Sequence, residues 1–198
     1  MGTVIPLKKE INNSYLELKN LVGSKLDEVS RVINYKLESE INLIHKMTSH
    51  HLNSGGKRIR PLLTLAASKL CGYKDGNRDI NLAACVELIH GATLLHDDVI
   101  DNSDLRRGAK TANSIWGNQS SILVGDYLFS RCFEMMVQDG SPEVLKLLSS
   151  TSSIIAQGEV LQLEYKGEID LLEETYFKII SMKTAALFAA AARVGACI

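Results

Sequence analysis

Apolar residues recur at three- and four-residue intervals along most of the chain, the period of helices with one buried face. The alternation that marks half-buried strands is scarce, and Asn-Gly hairpin signals are missing. Three prolines, Pro6, Pro61 and Pro142, are the only ones in 198 residues. The pattern predicts an all-α chain with helices near 8–22, 25–51, 58–71, 79–102, 111–139, 142–165 and 171–196. The punctuation agrees. NSGG at 53–56 breaks one helix, and Pro61 falls in the first turn of the next, where a missing N–H costs little. CGYKDGNRD at 71–79 reads as a loop with Asp79 as candidate N-cap. QDGSPE at 138–143 reads as a turn with Ser141 as N-cap and Pro142 at the first helical position, and YKGEIDLLEE at 165–174 as a further break. No repeat or shift in composition marks a boundary, so 1–198 is expected to form a single helical domain.

Within the helix expected after Asp79, Leu82, Val86, Ile89 and Thr93 share one stripe. Glu87, His90, Leu94, Asp97 and Asp101 share a second. Asp97 and Asp101 are therefore neighbours one turn apart, with Asp98 beside them. Like charges at that spacing destabilise a helix by about 0.2–0.5 kcal/mol. They also stand near the helix C-terminus, where the macrodipole disfavours anions. The preceding LIHGATLLH is apolar, so the helix is expected to be largely buried, and buried acids without a partner are expensive. A bound cation reverses the balance; a solvated acidic helix end is the plainer alternative. Ligation by Asp97 and Asp101 oxygens with an open shell suits Mg²⁺, which keeps waters and takes phosphate oxygens as co-ligands. ELIH at 87–90 is a Glu-x-x-His, but it occurs once, whereas helical di-iron sites use it twice.

The net charge of −1 offers no global field for nucleic acid, and aromatic residues are only 6 % of the chain. Anion binding must come from local placement. Lys57, Arg58 and Arg60 follow paired glycines in SGGKRIRP, with Lys57 and Arg60 on one helix face, and Arg106 and Arg107 follow the acids directly. Arginine forks onto phosphate and lysine adds a point charge. The spacing is not that of a Walker loop. An acid pair for Mg²⁺ beside two basic sites describes two substrates that both carry phosphate or diphosphate. Cys71, Cys85, Cys132 and Cys197 form no CxxC pair and read as small apolar residues in a reducing cytoplasm. The N-terminus has no apolar core of signal-peptide length, and TAALFAAAARVGACI at 184–198, interrupted by Arg193, reads as too short to span a bilayer. That leaves room for peripheral membrane contact.

GGKRIRP, LLHDDVIDNSDLRRG at 94–108, GDYLFS at 125–130 and MKTAALF at 182–188 together resemble the trans-prenyl (polyprenyl) diphosphate synthases, of long-chain type, from about residue 30 onward. The resemblance implies a bundle of long, mostly antiparallel helices around a central cavity, the isoprenoid synthase fold, usually as a homodimer. It implies an allylic diphosphate held through Mg²⁺ on Asp97 and Asp101, with Asp98 close by, and contacted by Arg106, Lys183 and Thr184. Isopentenyl diphosphate would be held by Lys57, Arg60, His90 and Arg107. Asp97, Asp98, Asp101, Arg106 and Lys183 form the implied catalytic set. Gln157 and Gln162 are candidates to face the cavity, Tyr127 and Trp116 read as core, and His96 has no assigned role. Thr93 and Ala92, four and five residues before Asp97, are expected at the cavity floor; Ala92 is small and leaves room for a long product, such as a quinone side chain, which Ala92→Phe would shorten. The family's second aspartate-rich motif is not in these residues, so the sequence reads as the N-terminal portion of a synthase. The alternatives are a non-catalytic regulatory subunit of a heteromeric synthase and a helical metal-binding protein.

Overall fold

The structure, a computed structural model, describes residues 7–53 and 55–198. The first six residues and Ser54, which falls within the NSGG break, lie outside the described residues. Helix α1 spans Leu7–Lys36 and α2 Asn42–Asn53, followed by α3 at Ile59–Leu70 and α4 at Arg78–Ile100. A two-stranded hairpin (β1, Leu105–Arg106; β2, Ala109–Lys110) leads to the short α5, Ala112–Trp116. Then come α6, Asn118–Asp139, and α7, Pro142–Glu164. The last helical stretch is α8 at Glu173–Ile180, a π-helical turn at Ser181–Ala185 and α9 at Ala186–Ala196.

Helix α4 is the centre of the bundle and packs on α1, α3, α6 and α9. Ile80, Leu82, Ala83, Ala84, Cys85, Val86, Leu88, Ile89 and Leu95 are all buried, so most of α4 is enclosed, and its charged residues Asp79, Glu87 and Asp98 are held in ion pairs. Such a helix belongs in a core rather than on a surface.

The first break is displaced from the expected one. Val22, Leu26, Val29, Ile33 and Leu37 form one buried stripe that runs straight past Gly23. Gly23 meets open space, so the helix tolerates it for about 1 kcal/mol of propensity. The chain instead turns after Leu37, where Ser39 Oγ accepts a hydrogen bond of 3.1 Å from the Ile41 N–H in competition with the helix. The helix expected at 111–139 is divided at Gly117, whose φ is +85°.

Asp79 does not cap α4. It lies within the first turn, 1 % exposed, accepting from Lys25 Nζ at 2.6 Å and from the Ile80 N–H at 2.9 Å, and so ties α1 to α4. Ser141 does cap α7, accepting from the Val144 N–H, with Pro142 behind it. Cys85 and Cys132 are buried and face one another's carbonyls across α4 and α6, whereas Cys71 is exposed. Trp116 and Tyr127 pack at the core's edge.

Residues 173–196 are long and apolar enough to cross a membrane by length and composition. In this fold they form a wall of the bundle: Leu187, Ala190, Ala191 and Val194 are buried, and α9 packs on α3, α4 and α7. The α3–α9 contact is close. Thr64 Oγ1 donates to the Ala191 carbonyl at 2.9 Å, and a Cβ at Gly195 would collide with the Thr64 carbonyl oxygen, which is backbone and has little freedom to yield. Gly195→Ala is therefore expected to lower unfolding free energy by about 2 kcal/mol, the scale of an overpacked core. Urea denaturation followed by circular dichroism checks this; an unchanged midpoint contradicts the tight α3–α9 seam.

Candidate active site

The three aspartates of the α4 terminus have separate fates. Asp98 points inward, 3 % exposed, and Arg106 grips it with two nitrogens, Nε at 3.0 Å and Nη2 at 2.8 Å from Oδ1. Asp97 is half-buried, and Asp101 is exposed at the C-cap with its N–H donating to the Asp97 carbonyl. Crowding is thus relieved by taking the middle acid out of the group. Burial raises the Asp97 carboxyl to about 6; the charges of Glu159 and Asp101 add to the rise, and Lys183 and Arg106 oppose it. This corner is short of positive charge. Among the described residues no three His, Cys, Asp or Glu side chains are gathered to hold a metal. Asp97 and Asp101 would leave most of a cation's shell to water and ligand oxygens, the arrangement Mg²⁺ favours.

Facing this corner are α7 and the π-helical turn. Lys183 Nζ lies 2.8 Å from Glu159 Oε2 and 3.1 Å from Gln162 Oε1. Thr184 is exposed beside it. Gln162 therefore joins the site, but Gln157 donates back to Ser153 on its own helix.

One turn and more toward the start of α4 lies a second feature, an open cleft of about 510 Å³ that brings together Lys57, Arg60, His90 and Arg107, with Arg58, Glu87 and Phe188. The glycines make it possible. Gly56 has a φ of +147°, and a Cβ there would sit 2.6 Å from Arg107 Nη1. Arg107 turns the hairpin with φ +53° ahead of Gly108 at +80°, and Arg58 enters α3 at +49°. Left-handed backbone costs a side-chain-bearing residue roughly 1–2 kcal/mol, and two such residues stand at this cleft. The hairpin was not legible because its turn carries Arg-Gly where Asn-Gly is the usual signal.

Arg60 lies over the Phe188 ring at 4.3 Å, and its Nε is buried without a hydrogen-bond partner. Burial lowers its guanidinium from the usual range, while Glu87 pulls the other way. Arg58 Nη1 is also buried and makes no hydrogen bond, although it stands 3.3 Å from Glu87 Oε1. Unmatched donors of this kind are costly, and an anion's oxygens supply what they lack. Burial also raises the Glu87 carboxyl, against the pull of Arg58, Arg60 and Arg107. Glu87 faces arginines, so ELIH is not a metal motif here.

His90 is pushed down to about 3, first by burial and then by Arg60, His51 and Arg107; His51, packed against Gly91, is pushed down to about 4 by burial and the neighbouring arginines. Both are neutral at ordinary pH. Thr93 is half-buried and donates to the His90 carbonyl at 2.8 Å, while Ala92 belongs to the fully buried core. His96 bonds to the Ile122 carbonyl and packs against Gly125 on α6, away from the site.

Roles for Glu87, Glu159, His51 and Phe188 were not read from the sequence. Glu159 had a signal, since it precedes Gln162 by three residues and shares its face. His51 had none, because it reaches the site only through the placement of α2.

The family model described as Polyprenyl synthetase matches residues 41–198. The octaprenyl diphosphate synthase of Escherichia coli K12 is 44 % identical over 177 residues, which is 89 % of this chain and 54 % of that protein. The all-trans-nonaprenyl-diphosphate synthase (geranyl-diphosphate specific) of Rhodobacter capsulatus is 42 % identical, over 84 % of this chain and 51 % of that protein. The chain thus spans about half the length of the curated relatives it matches. A polyprenyl synthase from Caulobacter crescentus CB15, solved with calcium and isoprenyl diphosphate, superposes with a TM-score of 0.90 at 46 % identity, covering 92 % of this chain and 56 % of that one. With the family model matched over residues 41–198 and relatives more than 40 % identical over most of its length, the chain belongs to the polyprenyl synthetase family.

Proposed function

We propose that the protein is a prenyltransferase that joins isopentenyl diphosphate head-to-tail to an allylic diphosphate and builds a long-chain all-trans polyprenyl diphosphate. The observation that carries this reading is the pairing, along α4, of the acidic corner at Asp97 and Asp101 with the cleft that gathers Lys57, Arg60, His90 and Arg107. The calcium and isoprenyl diphosphate bound to the Caulobacter protein support a divalent cation and an isoprenoid diphosphate as the ligands.

Mg²⁺ fits the acidic corner. The donors are carboxylate oxygens one turn apart, Asp97 is short of positive charge, and Asp98 is already neutralised by Arg106. Asp97 and Asp101 would hold the ion; when bound, Mg²⁺ supplies positive charge to the departing diphosphate. Lys183, Thr184 and the free edge of Arg106 flank the allylic diphosphate. Lys57, Arg60 and Arg107 bind the diphosphate of isopentenyl diphosphate, and neutral His90 adds a single N–H donor. In the reaction the allylic C–O bond breaks and diphosphate leaves with the bonding pair. The isopentenyl double bond then attacks that carbon and a proton is lost, which lengthens the chain by five carbons. Preset charges at both diphosphates do this work without a protein nucleophile. A cytoplasmic homodimer completes the reading. Exposed Ile122, Leu123, Phe133 and Val137 on α6 support an interface there, and an apolar product favours peripheral membrane contact at release.

Incubating the intact protein with labelled isopentenyl diphosphate, farnesyl diphosphate and Mg²⁺ is expected to yield chain-extended product. Asp101→Asn should lower kcat/KM by about 1000-fold, as when one charge-stabilising group is lost. Absence of extension by the unmodified protein contradicts the assignment. A second expectation concerns Asp97. Its folded pKa, about 6, lies above the ordinary 3.8, so its ionisation costs the fold stability, fully above pH 6 and not at all well below 4. With chelator present, Asp97→Asn should melt at higher temperature than the parent at pH 8 and at the same temperature near pH 3.5. The reverse order denies that the corner lacks positive charge. For product length, Thr93 lies about one turn before Asp97 along α4 and is half-buried rather than core. Thr93→Phe should shorten the product on chromatography, whereas Ala92→Phe should mainly lower the melting temperature by overpacking the core. Unchanged length in Thr93→Phe removes Thr93 from the cavity floor.

A further inference from the structure

Lys183 is held on the α7 side of the acidic corner by two side chains three residues apart, Glu159 at 2.8 Å and Gln162 at 3.1 Å. The approach is built into the backbones. Gly158 precedes Glu159, and a Cβ there would lie 2.9 Å from the Lys183 nitrogen and from Met182 Cβ, so α7 at Gly158 comes up against the backbone of the turn carrying Lys183. That turn is π-helical, Ser181–Ala185, and holds one residue more than an α-helical turn, which re-aims Lys183 relative to the helices on either side. Both partners are largely buried, with Glu159 15 % and Lys183 21 % exposed. Glu159 is also near enough to Asp97 to be the charged neighbour with the largest effect on it. The Lys183 ammonium in turn acts on the Asp97 carboxyl, so without Glu159 that aspartate is an anion within its electrostatic reach.

We propose that Glu159 is a positioning residue. It keeps the Lys183 ammonium on α7, beside the diphosphate position and off Asp97 and Asp101, so that the two aspartates stay open to a cation while the ammonium stays poised for the anion. The inference deepens the functional reading above and rests on its placement of the allylic diphosphate.

The two possible actions of Glu159 have opposite signs. As a bare negative charge it would repel diphosphate, and its removal would tighten binding. As the anchor of Lys183 it aids binding, and its removal loosens it. Calorimetric titration of the intact protein with inorganic diphosphate, with and without Mg²⁺, separates them without turnover. Glu159→Gln is expected to weaken the Mg²⁺-dependent component about tenfold, with the melting temperature held within a few degrees. Glu159→Asp, which keeps the charge, should recover part of the loss. Lys183→Met should cost at least as much, and adding Glu159→Gln to it should change binding less than twofold, since the anchor then has nothing to hold. Independent, multiplying losses overturn the proposal, as do tighter binding in Glu159→Gln, unchanged binding with only a lower melting temperature, or no Mg²⁺-dependent diphosphate binding in the parent protein. Chain extension in the parent is scored separately: the expected coupling without extension would sink the prenyltransferase assignment and leave the role of Glu159 standing.

Discussion

The Asp98–Arg106 pair is the interaction on which the site depends. Three hydrogen bonds from two nitrogens of one guanidinium to a buried carboxylate fix direction as well as charge. Severing such a pair on one side typically costs about 3–5 kcal/mol, because the other charge is left stranded. The pair anchors the hairpin against the end of α4, with help from Asn113, which donates to the Asp98 carbonyl. That anchoring delivers Arg107, the next residue, across Gly56 into the cationic cleft. It also removes Asp98 from the charge balance of the corner. One contact therefore shapes both halves of the site, and the run of adjacent acids is a structural acid set between two open ones.

The cleft is organised at a cost before any ligand arrives. Arg58 and Arg107 hold left-handed backbone, Arg60 Nε is buried without an acceptor, and Glu87 is the carboxylate set among these arginines. Glu87 offsets part of the repulsion and holds Arg58, and the Phe188 ring orients Arg60 by cation–π attraction. Groups already aimed at an anion need not reorganise when it binds. The stability lost here is offset by the apolar core that α4 builds with its neighbours.

Much of this was legible in the chain. The buried α4 and the one-turn spacing of Asp97 and Asp101 follow from periodicity, the cap at Ser141 from its turn signal, and the basic residues gather as their motifs imply. The failures share a cause. Gly23 reads as a break, yet a continuous apolar stripe outweighs one glycine's propensity. Asp79 reads as a cap, yet Lys25, 54 residues earlier in the chain, claims it. The π-helical turn and Glu159's grip on Lys183 depend on contacts between distant segments, to which local pattern is blind.

The two depressed histidines have a physiological consequence. An imidazole ordinarily changes charge between about pH 5 and 8 and is the usual sensor of cellular acidity. Burial and the neighbouring arginines push His90 down to about 3 and His51 to about 4, below that window. Neither imidazole therefore adds charge to its surroundings within that window, and the cationic lining of the cleft rests on Lys57, Arg58, Arg60 and Arg107.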